Sequence, residues 1–193
     1  MGIVPNREQA LIIFKKYNDS EALLRHALAV EGVMRHFAGL YQDQDVDKWG
    51  VVGLLHDIDY GQYPEEHCHK AVELLQIHEV DESVIRAVVS HGYGMCSDVQ
   101  PLSDLEKVLF TIDELTGLIN AAALLRPSKS VLDMELKSLK KKYKTPSFAA
   151  GVNREIIRSG AEILGMDLDL VLAEALIGMK EVAAAIGLDG SAV

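Results

Sequence analysis

Apolar residues recur at helical spacing along nearly the whole chain. After Pro5 and Asn6, the residues Ala10, Leu11, Ile13, Phe14 and Tyr17 form a stripe that predicts an amphipathic first helix. Asn18-Asp19-Ser20 interrupts it, and the Ser20 hydroxyl suits an N-cap because it can accept from an orphan backbone N–H. Leu23, Ala27, Val30, Val33, Met34 and Phe37 then define one buried face of a second helix that reaches about residue 41. A third helix is expected from 45 to about 57, with Trp49, Val52 and Leu55 inward. The stretch 59–64 reads as a loop, since Pro64 cannot occupy a helix interior. Later helices are predicted over about 65–77, from an Asp81 cap to His91-Gly92, over 103–126, 130–143, 152–164 and 167–186. Gly92 reads as a C-terminal stop and Pro127 as a terminator. No strand pattern, internal repeat or long linker interrupts this series. The expectation is an all-α fold with a central domain over 20–126, and with 1–19 and 127–193 as helical extensions packed on it.

Composition narrows the setting. The chain has 193 residues, of which 49% are hydrophobic, enough for a sizeable core. Its net charge of -10 disfavours generic binding to nucleic acid or to anionic lipid. A small phosphorylated substrate stays compatible with that charge if a metal inverts the local field. Two cysteines without a CxxC pair, Cys68 and Cys96, give no disulfide framework and point to a reducing compartment. The first residues lack a basic segment followed by an apolar run, and no apolar stretch approaches the roughly 18 residues that span a bilayer. A cytoplasmic protein without a membrane partner is therefore expected. The oligomeric state is open, and a homo-oligomer is allowed.

Chemistry enters at Gly53-Leu54-Leu55-His56-Asp57-Ile58-Asp59. A His-Asp pair at a helix end offers an imidazole nitrogen, suited to a transition ion, beside a carboxylate that can bridge two ions. Alone, the pair reads as a capping Asp after a partly buried His. Its company changes the balance. His26 lies on the buried stripe of the second helix, and Asp113 lies in the apolar run Leu109-Phe110-Thr111-Ile112, where an unpaired carboxylate is costly. A metal at the junction of three helices satisfies all four groups.

The ordered pattern His26, His56-Asp57, Asp113 in an all-helical setting resembles the HD-domain superfamily of metal-dependent phosphohydrolases, over roughly residues 20 to 126. The flanking His26-Ala27-Leu28-Ala29-Val30 and Phe110-Thr111-Ile112-Asp113-Glu114-Leu115 agree with it. The resemblance implies an HD-domain-like helical bundle with additional N- and C-terminal helices. It implies His26, His56, Asp57 and Asp113 as metal ligands. Two-metal members carry two further histidines, which correspond here to His67 and His91, and a binuclear site bridged by Asp57 is preferred to a mononuclear one. The implied cofactor is one or two divalent transition ions (Fe, Mn, Zn, Co or Ni), with Mg as a further option.

The resemblance also implies a reaction. A metal-activated water attacks a phosphate ester or anhydride, for instance a nucleotide, with Asp57 holding the water. Glu66, Asp59 or a non-ligating histidine is the expected acid or base, with Glu66 expected to act beside Asp57. Arg126 and Lys129, just beyond the Asp113 helix, are the expected phosphate contacts, while Lys137, Lys140, Lys141, Lys142 and Lys144 read equally well as a solvated face. Where the fuller family motif continues Ile-Gly-Lys, this chain has Ile58-Asp59-Tyr60, and the missing Lys argues against cyclic-dinucleotide hydrolysis. A catalytically inactive ligand-binding domain and a di-iron oxygenase on the same scaffold are the competing expectations.

Overall fold

The computed structural model describes residues 2–191. Among them the chain forms nine α-helices and no strand: α1 (Arg7–Tyr17), α2 (Glu21–Leu40), α3 (Val46–Leu55), α4 (His69–Ile77), α5 (Glu82–Ser90), α6 (Asp104–Leu124), α7 (Leu136–Tyr143), α8 (Arg154–Leu164) and α9 (Leu168–Glu181). A 3-10 turn, Pro64–Glu66, precedes α4. None of these helices is long and apolar enough to cross a membrane.

The helix starts follow their caps. Asn6 and Gln9 form a reciprocal capping box on α1, and Ser103 and Glu106 form another on α6. Ser20, Asp45, Asp81, Asn153 and Asp167 each accept from a backbone N–H in the first turn of α2, α3, α5, α8 and α9. Three expectations shift. The helix foreseen over 65–77 starts only at His69, because Cys68 takes a left-handed φ of 68° and breaks the path before it. α7 begins at Leu136, since the preceding residues fold into turns around Ser130 and Val131. α9 ends at Glu181, and a short turn carries the chain on to Gly187.

α2 is the spine. It packs against α3, α6 and α9, and α6 in turn packs on α8. Its inward side chains, among them Val30, Met34 and Phe37, are fully buried beside Trp49, Leu54, Ile112 and Met179. The extensions are therefore part of the same core. His36 of α2 pairs with Glu174 at 2.7 Å and Glu181 at 3.2 Å on α9, and Arg7 of α1 pairs with buried Glu31 at 2.6 Å.

One close approach sets the geometry of the site. A Cβ on Gly53 would stand 2.9 Å from Met34 Cγ and 3.1 Å from the Glu31 backbone, so α3 lies against α2 only because Gly53 has no side chain. This contact brings His56, at the end of α3, toward His26 on α2. Gly53→Val is predicted to destabilise the fold by about 1–3 kcal/mol through overpacking. Urea denaturation checks this, and an unchanged midpoint would contradict the tight α2–α3 contact.

Candidate metal centre

Six side chains from five places in the sequence converge. His26 projects from α2, His56 caps α3, and Asp57 lies in the turn that follows. His67 sits in the extended link before α4, His91 caps α5, and Asp113 projects from the middle of α6. They fall into two sets that share Asp57. In the first, His26 Nε2 lies 3.2 Å from His56 Nε2 and 2.9 Å from Asp113 Oδ1, and Asp57 Oδ2 is 3.7 Å and 3.3 Å from the two imidazoles. In the second, His67 Nε2 lies 3.2 Å from His91 Nε2, and Asp57 Oδ1 is 3.5 Å and 3.7 Å from them. The two carboxylate oxygens of Asp57 thus face different histidine pairs.

The outer hydrogen bonds fix what the inner atoms can do. His56 Nδ1 is 2.8 Å from the Gly53 carbonyl, His91 Nδ1 contacts the Val88 carbonyl, and His67 Nδ1 is 2.8 Å from Asp59 Oδ1. A carbonyl or carboxylate oxygen only accepts, so each Nδ1 carries its proton and donates outward. In the neutral imidazole the Nε2 lone pair then points inward. Electron-pair donors face one another at 3.2 Å around two carboxylates, an arrangement that requires a proton or a cation at its centre. The donor set of imidazole and carboxylate suits a divalent transition ion. Asp59, fully buried, completes this outer layer: its second oxygen accepts from the Ala71 N–H at 2.9 Å.

The electrostatics agree. Burial opposes charge on His56, yet Asp57 and Asp113 outweigh it and hold its pKa well above the ordinary value. Burial likewise raises both carboxyls, but the neighbouring histidines win and keep Asp57 and Asp113 ionised. His67 also titrates high, because Asp59 and Asp57 overcome its burial. His91 is shifted down by burial and by His56. The same pair of carboxylates that favours a proton on His56 would favour a cation among these groups.

The centre opens into a cleft of about 540 Å³ bounded by Leu23, Tyr60, Pro64, Met95, Glu114 and Gly117. That size fits a small organic ligand. Among the described residues, no Lys or Arg lines it. Arg126, expected as a phosphate contact, is instead held by Asp133 at 2.9 Å, and Lys129 donates to the Leu124 carbonyl; neither borders the cleft. Glu66 is exposed on the 3-10 turn and does not border it either. His69 is exposed at the start of α4, outside the cluster. His78 caps α4 and bonds the Tyr17 hydroxyl at 3.0 Å.

Two features escaped the sequence reading. Glu114 forms part of the cleft wall, accepts from the Asn153 N–H at 3.0 Å, and has its carboxyl pKa raised by burial. A charged residue beside Asp113 in an apolar helix was the available signal. His26 also borders a second cavity of about 340 Å³, whose wall includes Arg25 of α2, Asn120 of α6 and the turn at Ile186–Leu188. Nothing in the local sequence links that turn to α2.

Two outcomes follow for metal loading. Asp59→Asn places an amide where an acceptor is needed by both His67 and Ala71, and is predicted to weaken the second set's affinity by about 10–100-fold. Metal analysis of the dialysed variant should then show less bound metal per chain than the parent protein; an unchanged content would exclude the orienting role. Because the His56 pKa is raised, metal must displace a proton, so affinity should fall as pH drops from about 8 to 5. Calorimetry in buffers of differing ionisation enthalpy measures that proton release, and pH-independent binding would contradict it.

The comparison with solved structures returned no match. Residues 23–118 match the family model described as HD domain, a span that contains all six converging side chains. Over that span, the chain belongs to the HD-domain superfamily.

Proposed function

We propose that this protein is a metal-dependent phosphohydrolase that cleaves a small phosphate ester or anhydride, with a nucleotide as one such substrate. The observation that carries this reading is the division of Asp57, with Oδ2 toward His26 and His56 and Oδ1 toward His67 and His91. A carboxylate so divided is suited to bridging two ions, with Asp113 completing the first set. Bound there, divalent cations would supply a water acidified toward neutral pH and a positive field for the phosphoryl oxygens.

The chain's own groups do the rest. Asp57 and Asp113 stay ionised beside the histidines, ready to act as anionic ligands. Asp59 holds the His67 ring in one tautomer and one orientation. Glu114, with its raised pKa and its place in the cleft wall, retains a proton more readily than an exposed carboxyl, and takes the role of acid toward the leaving oxygen. It replaces Glu66 in that role. The Asn153 N–H fixes its orientation, so the segment leading into α8 contributes to the chemistry. Arg25 pairs with Glu21 at 3.3 Å and borders the separate cavity on the other side of His26, so the charge of a phosphoryl group in the cleft would be met by the bound cations.

A second reading, oxygen activation on the same ligand set, draws support from the lack of Lys or Arg around the cleft among the described residues. Phosphate release from a panel of mono- and diesters and nucleotides, run beside oxygen consumption with the iron-loaded protein, separates the two. For the leading reading, His56→Ala and Asp57→Ala are each expected to lose bound metal and to lower phosphate release by at least about 1000-fold, with helical content retained. Metal at full occupancy in both variants would overturn it, as would oxygen uptake without phosphate release.

A further inference from the structure

Behind the second histidine pair, two thiols share one small space. Both cysteines are free, Cys68 fully buried and Cys96 half-buried in the cleft wall. A Cβ on Gly92 would stand 2.3 Å from Cys96 Sγ and 2.4 Å from Cys68 Sγ, so the two sulfurs occupy the room this glycine leaves open. Gly92 therefore serves close packing; its φ is not in the left-handed region that a helix-stop glycine adopts. Its carbonyl accepts from the N–H groups of Met95, Cys96 and Ser97, which turns the loop back and sets Cys96 above it. From the other side, the left-handed backbone of Cys68 directs its sulfur to the same point. An L residue holds that conformation only where its surroundings impose it.

We propose that Cys68 and Cys96 are a redox pair that closes to a reversible intramolecular disulfide when a peroxide enters the cleft. The more accessible Cys96 sulfur attacks one peroxide oxygen; the O–O bond breaks, water leaves, and a sulfenic acid forms. The Cys68 sulfur then attacks the Cys96 sulfur; the S–O bond breaks, and hydroxide leaves with the Cys68 proton as a second water. Two thiols are oxidised and one peroxide is reduced. The new bond joins the residue after His67 to the loop that follows His91, locking the second histidine pair from behind. It would make that half of the centre responsive to oxidants, whichever reaction the centre performs.

The full-length protein, metal-loaded and after chelation, is treated with hydrogen peroxide and analysed by thiol titration and by mass spectrometry of non-reduced peptides. Free thiols should fall from two to none, the chain should lose the mass of two hydrogens, and one peptide pair should join Cys68 to Cys96. Dithiothreitol should restore both thiols. Cys96→Ser, which leaves buried Cys68 in place, should abolish the cross-link; Cys68→Ser should leave Cys96 to form a sulfenic acid that a dimedone probe traps. Two free thiols after Met95 has been oxidised would overturn the proposal. So would loss of thiols only as separate sulfinic acids or as links between chains.

Discussion

The direction of three imidazole protons governs this molecule. His56, His91 and His67 each donate from Nδ1 to a fixed acceptor outside the cluster: two backbone carbonyls one helical turn upstream and the carboxylate of Asp59. With those protons committed, the Nε2 lone pairs have nowhere to point but inward, toward Asp57 and Asp113. The centre is thus a collection of electron-pair donors held together by the surrounding fold, and its energetic cost is offset only when a cation or proton sits among them. Two of the three anchors cost the sequence nothing special. A histidine at a helix end reaches the carbonyl three residues back, as His56 reaches Gly53 and His91 reaches Val88.

The remainder of the fold keeps those ends in register. α2 carries His26 and also packs on α3, α6 and α9, so one helix links the first ligand set to the C-terminal extension. Gly53 lets α3 approach closely enough for His56 to meet His26, and Gly92 leaves the space in which the sulfurs of Cys68 and Cys96 pack behind His91. The extensions also contribute directly. Asn153 orients Glu114, and the turn near Gly187 closes one side of the cavity that His26 borders.

Much of this was legible in the sequence, for identifiable reasons. Helix caps are local, so Asn6, Ser20, Asp81 and Ser103 marked their starts correctly. His26, His56-Asp57 and Asp113 stood out because ionisable residues interrupt apolar helical faces. His67 and His91 were reached only through family resemblance, and the structure brings both within reach of Asp57. What failed was whatever depends on distant contacts. Arg126 and Lys129 follow the Asp113 helix closely in sequence, yet Asp133 and a helix-end carbonyl claim them. Glu66 is near His67 in sequence but turns outward on a 3-10 turn, while Glu114 takes the place in the cleft. The break at Cys68 was also hidden, since the left-handed backbone there is imposed by packing and not by the residue type.

The central claim is that the two oxygens of Asp57 serve two different cations. Anomalous diffraction from crystals grown with manganese or zinc tests it directly. Two peaks are expected, one among His26, His56 and Asp113 and the other between His67 and His91, with Asp57 between them. A single peak confined to one histidine pair, or no peak within reach of Asp57, would contradict it.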